Sequence, residues 1–144
     1  MPNDQQAKRA TPSRQNHAVT LIVPYPPSVN RYWRRVGNRT VLSRAAREFR
    51  KRVMEMWFLQ TVMYDVKPFN DQPVEMIVKV FPPDRRKRDL DNILKAVFDG
   101  IESAGIINDD SQVRRLRVEL LDPGGARLIV GIVPLNRKRD QDTE

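Results

Sequence analysis

"VEMIVKVFPPDRRKRDLDNILKAVFDGIESAG", Val74 to Gly105, contains a strand, a charged loop and a helix in succession. Val74, Met76, Val78 and Val80 recur at period two, which predicts a strand over 74–81 with one apolar face. Pro82 and Pro83 end it. Leu90, Ile93, Leu94, Val97 and Ile101 recur at helical spacing and predict a helix from about Leu90 to Ala104, with Gly105 as its stop. Between the two lie four cations, Arg85, Arg86, Lys87 and Arg88, followed by Asp89 and Asp91. Either these acids neutralise the bases, or acids and bases serve one acidic partner that also brings a metal.

The flanking sequence supplies the other elements. "VTLIV", 19–23, is a β-branched run stopped by Pro24 and reads as a buried strand. "PYPPSVNRYWRR", 24–35, reads as a stiff loop whose prolines forbid a helix. Ser43 is a suitable N-cap for a helix across 43–64, where Phe49, Val53, Met56 and Trp57 share one face. "VRRLRVELL" and "ARLIVGIV" read as two strands joined by the turn "DPGG" in a hairpin. The order β-α-β-α-β-β predicts an α+β fold: a single domain with a small mixed β-sheet and two helices packed on one face. That domain is expected over 18–134, between a disordered N-terminal arm, 1–17, and a polar C-terminal tail, 135–144.

Composition narrows the function. The chain has 144 residues, enough for one sizeable core, and 26 Lys+Arg against 18 Asp+Glu give a formal net charge of +8. Nineteen of the cations are arginine, whose planar fork suits phosphate, so nucleic acid leads the acidic partners. No apolar run approaches the roughly 20 residues of a spanning helix and no signal peptide opens the chain. A soluble, cytoplasmic protein is expected. There is no cysteine, and the lone histidine, His17, lies in the polar arm. Thiolate, zinc and Cys-His chemistries are thereby excluded. Hydrolysis would have to run on carboxylates, lysine and a hard cation.

Residues two apart in a helix point about 200° apart, so Asp89 and Asp91 converge only if Asp89 is the N-cap and Asp91 lies in the first turn. Asp91 and Lys95 share one helix face, together with Glu102. A further pair, Asp109-Asp110, reaches the helix N-terminus if "GIINDD" runs back along the helix; extended, it covers about 20 Å. Three carboxylates about 5 Å apart repel by roughly 3 kcal/mol per pair at an effective dielectric of about 20. Such a cluster calls for a divalent cation, and all-oxygen ligands select Mg²⁺ or Mn²⁺. The alternative reading is a cap, a first-turn acid and a turn, with Lys95 as a surface partner of Asp91. Spacing leaves both open.

From Arg31 to Arg52 there are nine cations and one acid, Glu48. Asn30, Arg31, Arg34 and Arg35 surround Tyr32 and Trp33, which either join the core or stack on bases. Arg44, Arg47 and Lys51 fall on one helix face, suited to a phosphate backbone unless they are simply solvated.

"VPYPPSVNRYWR" followed by "DRRKRDLDNILKAVFDGIESAGIINDDSQV" resembles the RusA-type Holliday-junction resolvases of bacteria and their prophages, over about residues 19–133. The resemblance implies a metal-dependent endonuclease, homodimeric, that resolves four-way DNA junctions in recombination and repair by paired symmetric nicks. It implies catalytic, metal-binding acids at Asp89, Asp91 and Asp110, an essential Lys95, and a junction-binding run Arg85–Arg88 with Arg88 nearest the metal. Mg²⁺, with Mn²⁺ as substitute, is the only cofactor it implies, and in-line attack leaves 5′-phosphate ends. A ribonuclease-H-like fold needs an acid on its first strand, which "VTLIV" lacks, and "EMIVK" has the wrong order for a restriction-like site. The rival class is a non-catalytic basic DNA-binding protein, architectural or regulatory. It explains the charge but gives no reason for Asp89, Asp91 and Asp110 beside Lys95.

Overall fold

The structure, a computed structural model, describes residues 17–135. All but the last residue of the expected arm and the first of the expected tail lie outside the described residues. The elements are β1 (Val19–Pro24), α1 (Val29–Tyr32), β2 (Trp33–Val36), β3 (Arg39–Leu42), α2 (Arg44–Tyr64), β4 (Val74–Phe81), α3 (Leu90–Ser103), β5 (Val113–Leu120) and β6 (Arg127–Pro134). The fold is α+β, as expected: a mixed four-stranded sheet, ordered β1-β6-β4-β5, carries α2 and α3 on one face.

Alternation builds the core. Val74, Met76, Val78 and Val80 of β4, Leu128, Val130 and Ile132 of β6, and Val19, Leu21 and Val23 of β1 all point to the helix side and are buried. Phe49, Val53 and Trp57 of α2 and Ile93, Val97 and Ile101 of α3 close over them. α2 opens at Ser43, whose hydroxyl accepts from the Ala46 amide at 3.1 Å. α3 stops where Gly105 turns to φ +75°; its amide donates to Glu102 O at 2.9 Å and that of Ile106 to Ile101 O at 3.2 Å. No described helix is long and apolar enough to cross a membrane.

Three local expectations are overturned. First, β5 and β6 do not pair as a hairpin: β4 lies between them, parallel to β5 and antiparallel to β6. β5 carries Arg114, Arg115 and Arg117 and is exposed at most positions, so it takes the sheet edge, while apolar β6 takes an interior place. The link 121–126 therefore crosses the end of β4, with the Leu121 amide on Val80 O at 2.9 Å. Second, 24–35 is not all loop. The prolines precede Ser28, and beyond them nothing opposes the one-turn helix α1. β2 and β3 then pair around Gly37-Asn38, with Gly37 at φ +60°, the positive φ such a tight turn demands. Third, "GIINDD" does not run back along α3. Ile106 and Ile107 are buried beneath the helix end, and the Phe69 amide on Ile106 O and the Asn108 amide on Asn70 O fix the segment there.

Candidate functional site

Asp89 is the N-cap of α3 and Asp91 sits in its first turn, the arrangement that lets two carboxylates converge. The Asp89 side chain makes no capping hydrogen bond, although an aspartate in that position ordinarily would. Among the described residues neither acid enters a salt bridge. The block of bases finds its counter-charge elsewhere. Asp84 Oδ1 takes Arg88 Nη2 at 2.6 Å, Asp84 Oδ2 lies 3.8 Å from Arg86 Nε, and Asp122 Oδ1 lies 3.6 Å from Arg85 Nη1. The backbone amide of Arg86, with the Arg88 guanidinium, holds the Asp84 carboxyl below the usual carboxylate range. So the acids behind the bases remain available as ligands.

Arg88 is the least exposed of the four bases. Its Nη1 donates to Asp84 O at 2.8 Å and Arg86 O at 2.9 Å, and its guanidinium lies 5.5 Å from the Tyr25 ring centroid. It staples the loop 84–88 to the chain leaving β1. Arg85, Arg86 and Lys87 face solvent. An open groove of about 680 Å³ runs past Asp89, lined by Arg31, Arg86, Lys87, Arg88 and Asn92 among others.

Asp110 is at the other end of α3. From Asp91 to Glu102 the helix rises about 16 Å at 1.5 Å per residue, and the Asp110 amide donates to Glu102 Oε1 at 2.5 Å. Topology requires this. β4, α3 and β5 form a parallel crossover unit, so α3 runs back across the sheet and its two ends lie over opposite ends of β4. A single chain thus places Asp89 and Asp91 at the start of α3, with Lys95 one turn beyond Asp91, and Asp110 at its other end.

Around Asp110 a second group forms: Glu102, Asp109 and Asp110 each offer a ligand atom within 4.8 Å of the others. Asp109 is engaged in a capping box, accepting from the Ser111 amide at 2.8 Å while Gln112 Oε1 accepts from the Asp109 amide at 2.8 Å. The Ser111 amide and hydroxyl hold the Asp109 carboxyl below its usual range. Gln112, buried, ties the turn to Gln72 O at 2.9 Å. Glu102 was visible in the sequence only as a polar neighbour on the Asp91 face, and the "DDSQ" spacing is itself a capping-box signature.

The second basic surface is the N-terminal half of α2 with the β2–β3 hairpin. Asn30, Arg31, Arg34, Arg35, Arg44, Arg47 and Lys51 are all exposed. Tyr32 and Trp33 separate: Tyr32 is 3% exposed and joins the core, whereas Trp33 is 49% exposed beside it. The Tyr32 hydroxyl donates to Asp99, which also takes Arg50 Nε at 2.7 Å and Arg50 Nη2 at 2.5 Å. Burial opposes ionisation of Asp99, but the hydrogen bonds from Arg50 and Tyr32 outweigh it and keep its carboxyl below the usual range. Burial and the same carboxylate push the Tyr32 phenol up. This clamp fastens α1, and with it the hairpin, to α2 and α3; charge periodicity gives no hint of it.

The donor set at the α3 N-terminus is all oxygen and uncommitted, which fits a hard divalent cation and no softer one. Residues 24–133 match the family described as Endodeoxyribonuclease RusA. The chain is 38% identical over 117 residues to the crossover junction endodeoxyribonuclease rusA of Enterobacteria phage HK97, covering 80% of this chain and 93% of that one. It is 38% identical over 102 residues to that of Escherichia coli K12, covering 71% and 82%, and 39% identical over 98 residues to that of Enterobacteria phage 82, covering 68% and 78%.

Proposed function

The chain belongs to the RusA family of endodeoxyribonucleases, and on that premise we propose that it resolves four-way DNA junctions by paired, symmetric nicks dependent on a divalent cation. The observation that carries the proposal is Asp89: an N-cap whose carboxylate caps nothing, one residue from Asp91 and beside a basic groove. Asp89 and Asp91 would hold Mg²⁺, or Mn²⁺ in its place; Asp110, which one chain leaves at the far end of α3, would have to join them from the partner copy of the homodimer. When bound, the ion polarises the scissile phosphate and activates water for in-line attack. Lys95, on the Asp91 face of α3, brings an ammonium to offset the charge that builds on the phosphoryl oxygens in the transition state. The exposed bases Arg85, Arg86 and Lys87, the hairpin arginines, and Arg44, Arg47 and Lys51 grip the backbone of the junction arms. Arg88 acts mainly by holding the loop 84–88 in shape. Departure of the 3′-oxygen leaves 5′-phosphate ends. A twofold substrate cut twice calls for two sites, hence a homodimer acting on bacterial or phage DNA in the cytoplasm.

The test is nicking of a synthetic four-way junction with linear duplex as competitor. Wild type should nick in Mg²⁺ and stop on addition of EDTA, and Asp89→Asn should lose nicking while still shifting the junction in a gel. A protein that shifts the junction and never cuts it would be the architectural DNA binder instead. Wild-type rates from Asp89→Asn would end the metal assignment.

A further inference from the structure

Resting on that reading, we infer that Trp33 stacks on a base left open where the strands of the junction exchange, and so makes the protein prefer branched to linear DNA. Trp33 is the first residue of β2 and stands 49% exposed. The other tryptophan, Trp57, is 7% exposed within the core.

The Trp33 ring is open but held in place. The Tyr32 ring meets it edge to face, with centroids 5.5 Å apart and planes at 63°. Tyr32 is buried, and its hydroxyl is fixed by Asp99, which Arg50 holds in turn. The Ser43 amide donates to Tyr32 O at 2.9 Å, pinning the same backbone to the start of α2. Across the hairpin Trp33 pairs with Leu42, which packs against the core. Leaving half of so large an apolar ring in water forgoes the stabilisation that burial would bring. A side chain already confined to one place loses little freedom on binding, so this ring is preorganised for a flat partner.

The surroundings identify that partner as a nucleotide. Alternation along the hairpin sets Trp33, Arg35 and Thr40 on one face, with Arg34 and Arg39 on the other. Arg35 lies about 7 Å along the strand from Trp33, within reach of the phosphate beside a stacked base. Arg31, two residues before Trp33, lines the groove that runs past Asp89. An open indole between two arginines can take a base on its ring and phosphates on its flanks. In linear duplex the neighbouring bases cover each base face, and a side chain must first part them. At a four-way junction the stack is interrupted where strands exchange. Stacking on Trp33 therefore adds to binding of the junction alone, whereas the arginines act on both kinds of DNA.

The test is a fluorescence titration in EDTA, so that no strand is cut, with a synthetic four-way junction and a linear duplex of the same arm sequence. Trp33→Ala should weaken junction binding about tenfold or more and duplex binding less than about twofold. Trp33→Phe, which keeps an aromatic face, should recover most of the loss. On the unaltered protein the junction should quench tryptophan emission and the duplex should not; Trp57 is buried, so the change reports on Trp33. A fluorescent adenine analogue placed in turn at each branch position should locate the stacked base. Equal weakening on both substrates, Phe no better than Ala, or emission that the junction leaves unchanged would overturn the inference. These readouts need no cutting. A wild type that passes them yet fails to nick in Mg²⁺ loses the nuclease reading and keeps the stacking. One that nicks while Trp33→Ala binds the junction unchanged loses the stacking alone.

Discussion

Asp99→Ala removes the one carboxylate that Arg50 and Tyr32 share. Breaking a fully buried ion pair costs about 3–5 kcal/mol. The Arg50 and Asp99 side chains are 32% and 24% exposed, so solvent screening reduces this to about 2 kcal/mol. Tyr32, only 3% exposed, loses its acceptor at a further cost of about 1 kcal/mol. A total near 3 kcal/mol corresponds to a fall in Tm of about 10 °C for a domain of this size. Circular dichroism melts near neutral pH measure it. Acid supplies an internal control. Asp99 titrates below its ordinary value in the folded protein, so its contribution is complete above about pH 4 and is lost as pH falls through the depressed value. Wild-type and variant melts should therefore converge in acid. At high pH, stability due to the raised Tyr32 phenol is lost from about pH 10 upward. A variant melting within about 2 °C of wild type near neutrality, or a gap unchanged in strong acid, would refute the clamp as a stabilising unit.

Gly100→Val should destabilise by about 2–3 kcal/mol in urea unfolding. A Cβ there would lie 3.2 Å from both Phe49 Cε1 and Val53 Cγ2, two buried side chains that would have to shift, and an unchanged midpoint would mean that they or the helices can give way. Replacing Arg34, Arg35 and Arg39 together with Ala should reduce the salt dependence of junction binding by about 2–3 in log K against log salt, since each phosphate contact contributes about 0.9. The hairpin is exposed and outside the main sheet, so the fold should be unaffected, and an unaltered slope by fluorescence anisotropy would remove the hairpin from the interface.

Local signals were legible where they act over a few residues. The 43–64 helix, its Ser43 cap, β4 and the Leu90–Ala104 helix follow from periodicity and turn chemistry, and the structure places them within a residue or two. The Gly37-Asn38 turn carried an equally local signal that the preceding prolines masked. Strand pairing was different. "DPGG" between two β-rich runs suggested a hairpin, yet β4 came between them. Burial across the whole sheet decides which strand takes the edge, and a turn of several residues does not.

The same division governs the site. Sequence by itself determined the chemistry: no cysteine, a single histidine, a surplus of arginine, and Asp89 and Asp91 at a helix start with Lys95 one turn on. Those facts depend on residue types and on the helical repeat, which act over one or two turns. Only the tertiary structure decided where Asp110 lies. A parallel β4–α3–β5 crossover carries the chain from one end of the sheet to the other, so residues about twenty apart along it finish at opposite ends of the helix between them.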